Sequence, residues 1–232
     1  MKTKLLLLFL LSFGIKSFSQ NIQLHYDFGK DRKYVTTTVE MFKPDKYGNT
    51  FFFIDMDYNS GGTKGISLVY WEIARVLKTE KMPFGIHVEF DGGFGRFNTP
   101  EGDVGYRINE SYLAGVDYSI HSSDFSKGAS FKVLYKTIIG KNKASFQLTT
   151  VWYANFFDNK LTLSGFADFW KEDLDFNFDG DVDAEYVFLT EPQIWYNFNK
   201  HFSVGSEVEF SNNFGNIEGF YVRPTIAVKA TF

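Results

Sequence analysis

The segment FYVRPTIAVKATF, residues 220–232, alternates between two kinds of side chain. Phe220, Val222, Ile226 and Val228 fall on one side, while Arg223 and Lys229 fall on the other. A period of two is typical of a β-strand whose faces meet different surroundings. The segments 202–211, 84–91 and 22–28 follow the same rule, so this pattern predicts the architecture of the whole chain.

Twelve such runs follow one another along the chain: 22–28, 34–42, 50–58, 66–76, 84–91, 110–120, 129–139, 144–155, 160–170, 186–198, 202–211 and 219–232. Most have the length of roughly 9–11 residues that a tilted strand needs to cross a bilayer. Connections after even-numbered runs are short, whereas 92–109 and 171–185 are predicted to be long loops. An even strand number with short turns on one rim predicts an all-β fold, a twelve-stranded antiparallel transmembrane β-barrel of the outer membrane.

Composition narrows the possible function. The 232 residues include no Cys, so disulfides, thiolate metal sites and a Cys nucleophile are excluded. The net charge of −4 argues against a nucleic-acid partner. A mean hydropathy of −0.20 argues against a bundle of membrane-spanning helices. The aromatic fraction of 19% is high for a soluble domain, and it suits a barrel with interfacial aromatic girdles.

Residues 1–19 have the pattern of a signal peptide, which leaves residues 20–232 as the barrel domain. Lys2 and Lys4 precede the apolar run 5–11, and Ser17 and Ser19 provide the small residues of a cleavage site. The apolar run is shorter than the ~20 residues of a spanning helix. We therefore expect export and integration into the cell outer membrane after cleavage.

A secreted β-sandwich or lipocalin-like barrel would also alternate, but its apolar face would point inward. Here the polar set is too small to coat an outer surface, and aromatic residues stand at the ends of many runs, as in Tyr58, Trp71, Phe84, Tyr118, Tyr135, Trp152, Phe169, Tyr196 and Phe232. These features favour the membrane barrel. The polar set then lines the lumen with twelve acids and four bases, a formal balance of −8 that favours cationic or neutral solutes.

Several stretches carry a resemblance to a known family: 24–29 (LHYDFG), 39–45 (VEMFKPD), 51–58 (FFFIDMDY), 70–75 (YWEIAR), 164–170 (SGFADFW) and 189–193 (LTEPQ). They resemble an uncharacterised family of Gram-negative outer-membrane proteins, which is similar to the Tsx-like nucleoside-specific channels. The resemblance implies a monomeric twelve-stranded barrel with a narrow polar pore. The final Phe232, on an alternating last strand, also resembles the terminal signal by which barrels are recognised for insertion.

Lumen-facing acids and aromatic rings form the predicted substrate-binding set. A nucleobase could stack on the rings while carboxylates accept hydrogen bonds from ribose hydroxyls. The predicted residues are Phe53, Asp55, Asp57, Tyr70, Glu72, His87, Glu89, Asp168, Glu191, Trp195, Glu207, Glu209 and Arg223. The alternative for each of them is that it simply fills a small barrel.

The segment 175–183 resembles the start of an EF-hand calcium loop. It places oxygen ligands at Asp175, Asn177, Asp179, Asp181 and Asp183, with Gly180 at the sixth place. The twelfth place holds Tyr186 instead of Glu, and no flanking helices are predicted. A loop that is merely solvated stays open as the alternative, and no other cofactor is expected.

Two further functional classes stay open. A barrel-embedded enzyme would need a catalytic motif, but the four histidines accompany no Gly-x-Ser-x-Gly or His-Glu-x-x-His pattern, so we expect no enzyme. A structural or surface-binding barrel would present its loops, whose basic residues could contact lipopolysaccharide phosphates. These bases are Arg32, Lys33, Lys64, Arg96, Lys141 and Lys143. The expected partners are outer-membrane lipid, lipopolysaccharide and small polar solutes such as nucleosides.

Overall fold

The computed structural model describes residues 19–79, 81–141, 144–177, 179–180 and 182–232, with only the backbone described at Ser19 and Ala184. The predicted signal peptide therefore lies outside the described residues, apart from Ser19. No helix in the described ranges is long and apolar enough to cross a membrane.

Thirteen strand segments account for most of the described chain. They are β1 (Ser19–Asp27), β2 (Val35–Asp45), β3 (Gly48–Tyr58), β4 (Ile66–Leu77), β5 (Gly85–Thr99), β6 (Gly102–His121), β7 (Lys127–Ile138), β8 (Ser145–Phe156), β9 (Leu161–Leu174), β10 (Asp183–Thr190), β11 (Gln193–Asn197), β12 (Phe202–Asn212) and β13 (Phe220–Thr231).

The segments form one closed antiparallel sheet. From β1 to β9 each strand pairs with the next, and β13 closes the ring by pairing with both β1 and β12. β10 and β11 both pair with β9 and β12, and only Glu191 and Pro192 separate them. Proline has no backbone N–H to donate to a ladder, so it interrupts one strand without changing its register. The barrel therefore has twelve strands, and the predicted fold class is confirmed.

Polarity alternates across the barrel wall in the predicted sense. On β1, Gln23 and His25 are 2% and 4% exposed, while the neighbouring Leu24 is 47% exposed. On β13, Arg223 is 2% exposed and Val222 is 47% exposed. Apolar side chains face outward and polar side chains face inward, which is the polarity of a barrel in lipid. The alternatives of a soluble sandwich and a lipocalin-like barrel are therefore wrong.

The connections alternate between two rims as predicted, but the two rims differ less in connection length than predicted. Short connections at 46–47, 78–84, 122–126, 157–160 and 198–201 share one rim with Ser19 and Phe232, and we call this the turn rim. The opposite end, with connections at 28–34, 59–65, 100–101, 139–144, 175–182 and 213–219, is the loop rim. The hairpin between β2 and β3 needs Gly48, whose φ is 135°.

The predicted long loop at 92–109 is wrong, because β5 and β6 continue past the barrel wall as a hairpin that turns at Pro100 and Glu101. A register shift between Asp91 and Gly93 marks a bulge at the start of this extension. The cluster of glycines here hides the alternation in the sequence. Phe97 and Tyr106 pack across the hairpin with ring centroids 6.2 Å apart.

The predicted loop at 171–185 is also shorter than expected, since β9 runs to Leu174 and β10 begins at Asp183. A small apolar core explains the extra strand length. Trp170, Leu174, Val187 and Leu189 are buried together inside the barrel, and Phe166, Phe176 and Phe214 pack against them. Burial of these side chains stabilises the extended ends of β9 and β10.

A charged lumen as the candidate functional site

Strand alternation brings the predicted substrate-binding residues to the inner wall of the barrel. Phe53, Asp55, Asp57, Tyr70, Glu72, His87, Glu89, Asp168, Glu191, Trp195, Glu207, Glu209 and Arg223 share the face that carries the buried polar side chains. They do not form one pocket. The structure distributes them over several clusters, and residues that sequence reasoning did not select join two of these clusters.

The loop-rim network consists of Asp27, Asp31, Arg32, Glu209 and Arg223. Arg223 donates to Glu209 Oε1 at 2.5 Å and to Asp31 Oδ2 at 2.6 Å. Arg32 donates to Glu209 Oε2 at 2.6 Å and to Asp27 Oδ2 at 3.1 Å. Each oxygen of the Glu209 carboxylate therefore accepts from a different guanidinium, which is a strong, geometrically specific arrangement.

Two members of this network, Asp31 and Arg32, come from the loop 28–34 and were missed as site residues. Arg32 lies at the loop rim as predicted, but its guanidinium is turned inward to the lumen acids Asp27 and Glu209 instead of outward to lipopolysaccharide. The hydrogen bond from Arg223, with charge from Arg223 and Arg32, lowers the pKa of Asp31 below its ordinary value of 3.8. In the sequence, only the adjacent opposite charges of Asp31 and Arg32 indicate a role in an ion-pair network. They do not show whether the loop folds toward the lumen.

The acidic triad consists of Glu72 on β4 and Glu89 and Asp91 on β5. One carboxylate oxygen from each lies within 4.8 Å of the others. The Tyr70 hydroxyl donates to Glu72 Oε1 at 2.9 Å, and His87 Nε2 lies 2.7 Å from Glu89 Oε2. Sequence reasoning placed Asp91 in the lumen but did not select it, since no spacing in the sequence distinguishes it from the other lumen acids.

A third group lies between these clusters and contains Asp55, Asp57, Glu191 and Glu207. Hydroxyls on β2 hold the aspartates, with Thr38 donating to Asp55 at 2.5 Å and Thr36 donating to Asp57 at 2.7 Å. Gln193 donates to Glu207 at 2.5 Å. Glu191 experiences the charges of Glu207, Glu209 and Asp55 together. Neutral donors thus hold Asp55, Asp57 and Glu207 in place, and none of these three acids forms an ion pair with a described Lys or Arg.

Aromatic rings on the inner wall divide into covered and accessible ones. Trp195 has no exposed surface, because Lys229 Nζ lies 3.8 Å above its ring and His25 meets its edge at 6.0 Å. Phe53 and Tyr70 are half-buried and lie 5.9 Å apart. The accessible pair is therefore next to the acidic triad, where a planar solute would meet both rings and carboxylates.

Asp168 and the lumen lysines complete the inner wall on the far side. The Thr149 hydroxyl donates to Asp168 at 2.5 Å. Lys136 donates to Gln147 at 2.7 Å and lies 4.4 Å above the Trp170 ring. Lys136 forms no ion pair in the described part of the chain, but its charge and that of Lys132 act on Asp168 and Glu89 at longer range.

The predicted calcium ligands lie at the loop rim, apart from the lumen clusters. The two oxygens of Asp175 accept from the backbone N–H groups of Asp179 at 3.2 Å and Gly180 at 3.0 Å. Asp183 begins β10, and Asp181 lies outside the described residues. Asp175 thus stabilises the turn itself, and calcium binding by Asp175, Asn177, Asp179, Asp181 and Asp183 stays a prediction.

Comparison with solved structures places this barrel among outer-membrane barrels. The NanC porin matches with a TM-score of 0.58 at 8% identity, over 92% of this chain and 100% of that chain. The KdgM porin in complex with disordered oligogalacturonate matches with a TM-score of 0.52 at 10% identity, over 92% and 99%. The translocator domain of autotransporter NalP from Neisseria meningitidis matches with a TM-score of 0.50 at 9% identity, over 100% and 94%. At these identities the likeness shows a shared fold.

Sequence comparison reaches the family level. No curated protein sequence matches this chain significantly. A family model described as Domain of unknown function (DUF5020) matches residues 19–232. Because this match spans the entire barrel from β1 to the final residue, the chain belongs to the DUF5020 family.

Proposed function

We propose that this protein is an outer-membrane channel through which small cationic or neutral polar solutes diffuse passively. The observation that carries the proposal is the polarity of the wall. The strand acids predicted to line the lumen outnumber the bases twelve to four, the loop 28–34 adds Asp31 and Arg32 to the same interior, and the outer surface of the barrel is apolar. A sealed structural barrel could fill its interior with apolar side chains at lower cost, since a buried charge is expensive unless it is paired and hydrogen-bonded.

Electrostatics sets the expected selectivity. Confined acids raise the local concentration of cations and repel anions, and the effect weakens as salt screens it. Asp55 and Glu207 accept hydrogen bonds from the neutral donors Thr38 and Gln193, so any charge they carry acts on a passing solute. The loop-rim network attaches the loop 28–34 to the lumen wall through Arg32 and Asp31.

Nucleosides are the finer substrate class that we propose. The half-buried rings of Phe53 and Tyr70 could stack a nucleobase, while Glu72 could accept from ribose hydroxyls. The ring of Trp195 has no exposed surface, so it packs within the wall and does not contact the solute. Asp168 extends the polar surface that the same solute would meet, while the fully buried His87 contacts Glu89.

The protein is proposed to act as a monomer in the outer membrane. Outward rings such as Tyr118, Tyr135 and Tyr196 are 49%, 59% and 49% exposed and would contact lipid headgroups and lipopolysaccharide. The proposal assigns no catalytic step to the chain.

A structural or surface-binding barrel is the second candidate, and a specific observation favours it. Inside the barrel, Trp195, Val187 and His87 are fully buried, and Arg223 is 2% exposed. A lumen packed this tightly at several levels could be closed to solutes. The long β5–β6 hairpin would then be the surface that a partner recognises.

Liposome swelling separates the two candidates. Proteoliposomes containing the refolded full-length chain are diluted into isotonic solutions of a nucleoside, a neutral sugar, a small cation or a small anion. A channel gives swelling rates above those of empty liposomes, with the anion slowest. Rates equal to those of empty liposomes for all solutes would contradict the channel and favour the structural barrel.

A further inference from the structure

Three carboxylates meet at one point on the lumen wall. Glu72 and Asp91 are direct cross-strand partners on β4 and β5, and Glu89 lies two residues before Asp91 on the same face. One oxygen from each lies within 4.8 Å of the other two. Like charges directly opposite one another in a sheet destabilise it, so the acidic triad is unfavourable as long as nothing neutralises it.

Asp91 supplies a second and independent observation. Asp91 is 5% exposed, and its Oδ1 is buried without a hydrogen-bond partner among the described residues. The other two acids are held, since Tyr70 donates to Glu72 and His87 contacts Glu89. A buried carboxylate oxygen without a donor is rare and costly, and a bound cation would satisfy it.

In the described part of the chain, no basic side chain donates a hydrogen bond to Asp91 Oδ1. Within the described ranges, no Lys or Arg lies within ion-pair distance of Glu72, Glu89 or Asp91. The amino group of Lys136 is directed at Gln147 and the Trp170 ring instead. Among the described residues, His87 contacts the triad through Glu89, while Lys132 and Lys136 act on Glu89 and Asp91 through longer-range charge without forming an ion pair.

We propose that the acidic triad is a binding site for a divalent metal cation, with Ca²⁺ as the best-fitting ion. Carboxylate oxygens are the ligands that hard divalent cations prefer. Ca²⁺ accepts six to eight oxygens in flexible geometry, so three carboxylates from the wall and water from the lumen complete its shell. Mg²⁺ fits less well, because it demands near-ideal octahedral geometry.

The site has a structural consequence that does not depend on transport. The ion links β4 to β5 next to the register shift between Asp91 and Gly93, where the β5–β6 hairpin leaves the barrel. Its binding removes the repulsion between the paired strands and so raises the stability of the folded barrel. Metal binding and solute passage can therefore be measured separately.

Terbium luminescence tests the site directly. The refolded full-length chain in detergent micelles is titrated with Tb³⁺, an oxygen-seeking ion that aromatic rings sensitise, and Tyr70 lies in contact with the triad. Ca²⁺ is then added to displace it. We expect sensitised emission that Ca²⁺ reverses, with an apparent Kd for Ca²⁺ of roughly 10⁻⁴–10⁻³ M, as in weak calcium modules.

Matched variants locate the ion. Asp91→Asn and Glu72→Gln should each weaken Ca²⁺ binding at least tenfold while keeping side-chain shape. Asp117→Asn is the control, because Asp117 is a buried lumen acid whose oxygens accept from Ser119 and Ser130. Asp175→Asn controls for the predicted calcium loop. Both controls should bind as the unmodified chain does, and a heat-modifiable gel shift checks that every variant folds.

If a variant does not fold, the Tb³⁺ and Ca²⁺ titration of the unmodified chain still tests the proposed metal site. Absence of Ca²⁺-reversible emission up to millimolar Ca²⁺ would overturn the proposal. So would unchanged affinity in Asp91→Asn and Glu72→Gln, or loss of all binding in Asp175→Asn. Failure of the channel in liposomes would leave the metal result untouched.

Discussion

Arg223 on β13 lies directly opposite Glu209 on β12, and its guanidinium donates to the Glu209 carboxylate at 2.5 Å. Both side chains are almost fully buried, at 2% and 5% exposure. The same guanidinium reaches Asp31 in the loop 28–34, so one residue joins the closing strand pair of the barrel to the loop at its entrance. This relationship makes Arg223 important for stability.

Replacing Arg223 by Ala should destabilise the barrel by about 3–5 kcal/mol, because Glu209 is left as a buried charge with reduced compensation. Denaturant unfolding in detergent micelles measures the change. Arg107→Ala is the control, since Arg107 is 60% exposed and its pair with Glu110 is worth less than about 1 kcal/mol. Equal effects of the two substitutions would show that the network contributes nothing special.

A charge on the outer wall should be far more costly than the same charge on the inner wall. Val133 lies in the middle of β7 and is 57% exposed on the apolar surface. Val133→Arg should reduce stability in lipid by about 2–4 kcal/mol, as expected for a cation near the bilayer centre. Lys132→Arg places the same guanidinium one residue away on the lumen side and should be tolerated. The folding yield of each variant into lipid vesicles measures the difference. Equal yields for Val133→Arg and Lys132→Arg would contradict the assigned polarity of the wall.

Acidification should break the contact between Asp31 in the loop 28–34 and Arg223. Arg223 holds the pKa of Asp31 below 3.8, so the contact stabilises the fold above that value and is lost as the pH falls through the lower folded pKa. Carbon NMR of labelled aspartate side chains, assigned with Asp31→Asn, measures the midpoint. We expect it below 3.8 in the unmodified chain and near 3.8 in Arg223→Gln. A midpoint above 3.8 in the unmodified chain would contradict the contact.

Gly205 has no side chain, which leaves room for the Trp195 ring to pack against the backbone of β12. A Cβ at residue 205 would lie 2.5 Å from Trp195 Cε3 and 2.2 Å from the Ile194 carbonyl oxygen. Gly205→Ala should therefore cost about 1–3 kcal/mol through overpacking. Gly105→Ala is the control, since the nearest atom to its Cβ is a carbonyl oxygen at 3.9 Å. Near-ultraviolet circular dichroism would report whether Trp195 moves, and an unchanged spectrum with unchanged stability would contradict the packing.

Much of the fold could be predicted from the sequence because each strand has one apolar and one polar face. This alternation fixed the strand number, the short turns and the direction of residues such as Leu24 and Val222. It failed at 92–109, where glycines hide the pattern of the β5–β6 hairpin. The alternation also did not predict the apolar core inside the barrel around Trp170 and Val187. A single sequence does not distinguish an apolar residue that packs on the inner face from an exception to the pattern.

The site could be predicted only as a set of lumen-facing residues. Period-two alternation places Glu72 and Asp91 on the inner face, but their direct pairing depends on the register between β4 and β5. The inward fold of Arg32 depends on loop conformation, which no periodic pattern describes. Local pattern therefore predicts the direction of a side chain, and register and loop geometry decide its partners.

The central claim is that ionisable groups line a bore that conducts and favours cations. The reversal potential of the reconstituted chain in a planar bilayer, under a tenfold KCl gradient, tests it most directly. We expect a potential of the sign that K⁺ selectivity gives, reduced when Glu191→Gln and Glu207→Gln are combined and reduced again at high salt. A Cl⁻-selective potential, or no conductance in the folded protein, would contradict the account.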